Sequence, residues 1–182
     1  MALFLALDIP ENMREPLLDV AGRLGVGDEV AEENLHLTLA YLGPQPEHVL
    51  DQIDGFCRGM RFGPVRLACR ELAIFGGKRP AALAMMVERV PELGALQEKV
   101  AQVARMSSVD LARRRFKPHI TLVRFPAKIG GAAEARVHRY LAAQPLSAIT
   151  GEATSLGLFQ STRRQGAVEY DCLARYGALG CV

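Results

Sequence analysis

The sequence predicts an α+β fold built on antiparallel sheet, and three observations lead there. Apolar residues switch repeatedly between helical and strand periods along the chain. Neighbouring strands are joined by short turns instead of the long crossovers that a parallel sheet requires. A four-residue phrase, His-x-Thr-Leu, is written twice, at 36–39 and 119–122, each time inside a short apolar stretch.

The elements follow in order. Ala2 to Ile9 is apolar and stopped by Pro10, so it reads as a buried first strand. Glu11 to Leu24 places Met13, Leu17, Leu18 and Ala21 on one helical stripe, and Gly25 and Gly27 end it. Leu35 to Leu42 is a strand closed by "GPQP", and Glu47 to Cys57 is a helix with Val49, Leu50, Ile53 and Phe56 on its apolar side. Val65 to Phe75 and Ala81 to Val87 are strands joined through "GGKRP". Pro91 to Met106 is a helix with Pro at its start, where a missing N–H costs nothing. Pro118 to Phe125 is a strand stopped by Pro126, Ala132 to Ala143 is a helix, and two strands around "QSTRRQG" finish the chain. No linker rich in Pro, Gly or Ser divides residues 1–182, so one domain is expected.

The bulk numbers exclude more than they assign. At 182 residues the chain can bury one sizeable core, or two lobes sharing one. A net charge of +2 carries no statement about nucleic acid, because a weak total can hide a local patch. Cys57, Cys69, Cys172 and Cys181 lack CxxC spacing, so neither a zinc site nor a disulfide frame is expected. The apolar start has no basic region before it and no cleavage signal after it, and no run reaches the roughly 18 residues of a membrane span. A cytoplasmic protein with no membrane contact is the expectation.

The repeated phrase carries the chemistry. The two histidines are 119 − 36 = 83 positions apart, and similar material follows each. A helix comes next, then a strand ending in Phe75 or Phe159 (159 − 75 = 84), then a turn with Lys78 and Arg79 or Arg163 and Arg164, then another strand. This reads as an internal duplication that gives two pseudo-symmetric lobes. In a strand, residues i and i+2 share a face about 6.6 Å apart. His36 and Thr38 therefore point one way while Leu35, Leu37 and Leu39 pack on the other side, and His119 and Thr121 repeat the pattern. Lobes related by a twofold would bring both pairs to one groove. Such a groove suits in-line displacement at phosphorus, which needs a base at the attacking oxygen and an acid at the leaving one. Imidazole does either near neutrality, and threonine hydroxyls can donate to the non-bridging oxygens. No clustered Asp or Glu accompanies either motif, and Asp8 and Glu33 have no counterparts in the second half, so a metal-free mechanism without cofactor is expected.

The two motifs, the opening "LFLALDIPENMRE" and the tail "SLGLFQSTRRQGAVEYDCL" together resemble the two-histidine (2H) phosphoesterases, and within them the bacterial RNA 2′,3′-cyclic phosphodiesterases, also called 2′-5′ RNA ligases. The resemblance spans nearly the whole chain. It implies a bilobal α+β fold with a groove between antiparallel sheets and helices outside. It implies hydrolysis of a 2′,3′-cyclic phosphate to a 2′-phosphomonoester, on an RNA end or a small cyclic nucleotide, by a monomer. Carried over by motif, His36 is the proton donor to the leaving 3′ oxygen, His119 the acceptor from water, and Thr38 and Thr121 hold the phosphate. One departure is that "DEVAEEN", ahead of the first motif, has no aromatic residue.

Around this centre several residues keep two readings. Arg124 is either a phosphate contact or a solvated strand end. Phe75 and Phe159 either stack on a base or belong to the core. Arg79 and Arg163, with Lys78 and Arg164, either guide the polynucleotide or are ordinary turn residues, and the run Arg113, Arg114, Arg115, Lys117 is either an RNA-attracting rim or a solvated loop. His48 and His138 are expected at the surface. Two further functions stay open: a 2′-5′ ligase running the reverse reaction, and a nucleotide-binding module without catalysis.

Overall fold

The computed structural model describes residues 2–77, 79–113, 115–143, 147–164 and 167–179, without the side chains of Arg163, Arg164 and Ala167. Lys78, Arg114 and Cys181 lie outside the described residues, as do the side chains of Arg163 and Arg164.

Strand β1 (Ala2–Asp8) leads into helix α1 (Glu11–Leu24), whose buried stripe is Met13, Leu17, Val20, Ala21 and Leu24. Gly25 closes that helix at φ 63°, a left-handed position that suits a residue without Cβ. A two-residue strand β2 (Asp28–Glu29) and a 3₁₀ turn over Glu32–Asn34 precede the first motif strand, β3 (His36–Gly43). Then come α2 (Glu47–Gly59), β4 (Val65–Gly76), β5 (Pro80–Val87), α3 (Pro91–Met106) and the second motif strand, β6 (His119–Arg124). The chain continues through α4 (Gly131–Ala142), β7 (Ile149–Ala153), β8 (Ser155–Arg164) and β9 (Ala167–Gly177).

The strands form one antiparallel sheet in the order β7-β4-β5-β6-β3-β1-β8-β9, with β2 added beside β6. Its two halves meet where β3 and β6 pair, and that pairing is the contact of Leu37 with Ile120. The two lobes are thus halves of a continuous sheet that meet at their motif strands. Counted outward from the motif strands, β5 and β1 hold the second place, β4 and β8 the third, β7 and β9 the edge. The sequence likeness between β5 and β9 therefore does not correspond to equivalent places; β1 occupies the place that matches β5.

One face of the sheet carries the core. Leu5, Leu7, Leu37, Leu83, Met85 and Ile120 pack there with Met13 and Leu17 of α1, Ile53 of α2, Leu93 of α3 and Val137 of α4, all nearly or fully buried. The opposite face bears a separate small cluster of Phe4, Ala6 and Phe159, with Tyr170 against it. Strand alternation produces this division: along β1, Leu3, Leu5 and Leu7 face the helices while Phe4 and Ala6 face away. Among the described residues, no helix is long and apolar enough to cross a membrane.

Candidate active site

Both motif strands carry the same irregularity. Between β1 and β3 the pairs Leu5–Ala40 and Ala6–Thr38 skip Leu39; between β5 and β6 the pairs Leu83–Val123 and Ala84–Thr121 skip Leu122. The leucine that ends each His-x-Thr-Leu phrase is thus the extra residue of a β-bulge. The bulge shifts the alternation by one position, so the residue five after each histidine returns to the histidine's face. Tyr41 and Arg124 are those residues, and each is the exposed position in its strand's burial pattern. Simple strand spacing would have put Arg124 on the opposite side from His119.

An antiparallel register through Leu37 and Ile120 sets His36 across from Thr121 and Thr38 across from His119. All four side chains are half-buried, on the face away from the helices. The imidazoles are held alike. His36 Nδ1 lies 2.7 Å from the Asn34 carbonyl oxygen, and His119 Nδ1 lies 2.7 Å from that of Lys117. A carbonyl only accepts, so Nδ1 donates in both rings and Nε2 is left to exchange a proton.

The surroundings of the two rings differ. His36 tilts against Phe4 at 4.9 Å between centroids and stands nearly perpendicular to Tyr170, 5.1 Å between centroids. Phe4 stacks in turn on Phe159 at 5.3 Å. Burial in this aromatic enclosure pushes the His36 pKa down, and the nearby charges of Arg124 and His119 act in the same direction. The Asn34 hydrogen bond and Asp8 oppose them and do not reverse the sign. Asp8 is itself bound to Arg175, whose Nε donates to its carboxylate at 3.0 Å. His119 stacks face to face with Phe75, 4.2 Å between centroids at 25°.

A cavity of about 600 Å³ opens over the first motif, and His36, Thr38, Tyr41, Arg124, Thr162 and Tyr170 are among the residues that line it. Arg124 Nη2 donates to the Tyr170 hydroxyl at 2.8 Å, which joins the second motif strand to the far lobe across the cavity. Of the residues singled out by sequence, the structure brings His36, Thr38 and Arg124 into this cavity, with His119 and Thr121 on the adjoining strand. Phe159, 7% exposed, lies beneath Phe4, while Phe75 is half-buried with its face on His119. Arg79 lines a different cavity with Lys128 and Glu134. Arg113, Arg115 and Lys117 are exposed, as are His48 and His138. Phe4, Tyr41 and Tyr170 were not marked by sequence reasoning. The odd spacing from His36 to Tyr41, matched by that from His119 to Arg124, was the available signal for Tyr41.

Comparison with known proteins bears on the family and the fold. Residues 19–165 match the model of the 2′-5′ RNA ligase superfamily. An Archaeoglobus fulgidus protein named RNA 2′,3′-cyclic phosphodiesterase is 30% identical over 134 residues, which cover 70% of this chain and 74% of that one. The crystal structure of a Thermus thermophilus protein superposes with a TM-score of 0.78 at 24% identity, covering 99% of both chains. Escherichia coli LigT complexed with 3′-AMP gives a TM-score of 0.76 at 24% identity, covering 98% of both.

Proposed function

The chain belongs to the 2′-5′ RNA ligase superfamily, and from that premise we propose that it hydrolyses RNA 2′,3′-cyclic phosphate ends to 2′-phosphomonoesters without a metal ion. The observation that carries this reading is the matched pair of imidazoles. Each Nδ1 is engaged by a carbonyl two residues back, so each Nε2 is free for proton transfer, on strands that meet at Leu37 and Ile120.

In this mechanism a water oxygen attacks phosphorus while His119 Nε2 takes its proton. The bond from phosphorus to the 3′ oxygen breaks, and protonated His36 delivers its Nε2 proton to that oxygen. The Thr38 and Thr121 hydroxyls donate to the non-bridging oxygens as charge builds there, and the Arg124 guanidinium supplies the positive charge. In this reading these groups neutralise the phosphate. The same reading treats the chain as one duplicated domain. Its support is the recurrence of motif, bulge and face-sharing residue at one separation: 119 − 36 = 83, 122 − 39 = 83 and 124 − 41 = 83.

An oligoribonucleotide ending in a 2′,3′-cyclic phosphate, incubated with the protein in excess EDTA, tests the proposal. The expected product is a terminal 2′-phosphomonoester, formed at the rate seen without chelator. Activity lost on chelation and restored by one particular cation would overturn the mechanism. A product with phosphate on the 3′ oxygen would overturn the assigned direction of opening.

A further inference from the structure

We propose that Tyr41 and Thr162 form a nucleobase subsite beside the histidines, with the Tyr41 ring as stacking platform and the Thr162 hydroxyl bonding to the base edge. The inference rests on the functional reading above and deepens it, because the base concerned is that of the nucleotide bearing the cyclic phosphate.

The argument begins with the aromatic residues on the groove face. Phe4 has His36 and Phe159 as ring partners, and Phe159 is buried. Tyr170 stands nearly perpendicular to Phe4 and His36, and its hydroxyl holds Arg124. Phe75 is stacked on His119. Each of these four rings is already packed against another ring. Tyr41 differs: it is 62% exposed, and the Leu39 bulge turns it to the side of His36 and Thr38, where it lines the same cavity as they do. An exposed aromatic ring on a protein surface is a poor structural element and a good stacking surface, since every base has a π face. Pro44 and Val168 add apolar wall to the cavity.

The second observation is polar and independent of the first. Thr162 also lines the cavity, and its Oγ1 is shielded from solvent without a hydrogen-bond partner. Buried hydroxyls are nearly always satisfied, and a base edge entering the cavity supplies the missing partner. A hydroxyl both donates and accepts, so it fits purine and pyrimidine edges alike. At about 600 Å³ the cavity is of the size that encloses small-molecule ligands. It therefore has room for a nucleoside as well as its phosphate.

The test compares adenosine 2′,3′-cyclic phosphate with its base-less counterpart, methyl ribofuranoside 2′,3′-cyclic phosphate, through the ratio of their kcat/KM values. Stacking is worth ~1–3 kcal/mol per base, so Tyr41→Ala is expected to lower that ratio by about 5- to 150-fold, through KM more than kcat, while Tyr41→Phe keeps it. Thr162→Val is expected to lower it by roughly 2- to 12-fold, the range of one hydrogen bond. A ratio unchanged in Tyr41→Ala overturns the subsite. So does a Tyr41→Phe variant as impaired as Tyr41→Ala. Calorimetric titration with adenosine 2′-phosphate against methyl ribofuranoside 2-phosphate reads the same preference without turnover. If the wild-type protein cleaves neither cyclic compound yet shows this binding preference and loses it in Tyr41→Ala, the hydrolase reading falls and the subsite stands. Equal binding of the two phosphates by the wild type removes the subsite whatever the activity.

Discussion

Gly157 offers a way to disturb His36 without touching it. An ideal Cβ on Gly157 would lie 2.2 Å from Phe159 Cε2 and 2.5 Å from Cζ, where ordinary contact begins at 3.4 Å. In Gly157→Ala the ring must therefore move by about 3.4 − 2.2 = 1.2 Å. It has little freedom to do so, because Phe159 is 7% exposed and stacks on Phe4, which in turn leans on His36. Overpacking of this kind costs about 1–3 kcal/mol. For a chain of this size that corresponds to a fall in Tm of about 2–12 °C. The movement passes along the stack to the imidazole, and a misplacement of about 1 Å can lower a rate on the order of 100-fold. Calorimetry gives Tm, and hydrolysis of a cyclic-phosphate oligonucleotide, measured well below that Tm, gives kcat. Replacing Phe159 by Leu in the Gly157→Ala background removes the clash and should recover part of the rate. If Tm falls as expected while kcat stays within twofold of wild type, the aromatic stack does not position His36.

Three further outcomes follow from the site. His36→Ala and His119→Ala, each still folded by circular dichroism, should lose about 10²–10⁴-fold in turnover; retention of a tenth of the wild-type rate in either contradicts the acid–base pair. Thr38→Val and Thr121→Val remove one donor apiece and should lose about 10- to 10³-fold; unchanged rates in both would make the threonines structural. The pH profile of kcat/KM should be bell-shaped, and because burial lowers the His36 pKa, the limb that reports His36 should lie below the ordinary histidine range. Mutating Phe4 to Leu opens the enclosure and should move that limb upward, and a limb that stays in place would detach it from His36.

Much of the fold could be read from local signals. Helices α1 and α3 begin and end where proline, glycine and the apolar stripe place their limits. The His-x-Thr pairs were legible because polar residues on one side of an apolar strand need either a partner or a cleft. What stayed hidden depends on pairing between distant strands. Phe4 meets His36 from another strand, 36 − 4 = 32 positions away, and Tyr170 does so from 170 − 36 = 134 positions away. No local pattern reports such contacts. Strand β7, "ITGEA", was missed because a glycine and a glutamate break its apolar alternation, and pairing with β4 supplies what propensity lacks. The face of Arg124 depended on a bulge, and a bulge is visible only when the partner strand is known.

In the proposed mechanism one phrase written twice serves two roles. Backbone and motif treat them alike: each lies on a bulged strand, with its Nδ1 bound to a carbonyl two residues back. The difference lies in what the rest of the chain lays over the rings. His36 has Phe4 and Tyr170 around it and Arg124 nearby, surroundings that disfavour the imidazolium. A proton donor that is reluctant to carry its proton is a strong acid once loaded, and the missing ingredient is an anion. On the proposed reading, the cyclic phosphate brings that anion into the cavity with Arg124 and His36, offsets the repulsion, and favours the charged form of His36 only while substrate is present. Protonation of the acid is then coupled to binding. The consequence is measurable: the limb of kcat that reports His36 in the enzyme–substrate complex should lie at higher pH than the limb of kcat/KM that reports it in the free protein. Coincident limbs would mean that substrate does not load His36, and the donor would then have to be sought elsewhere.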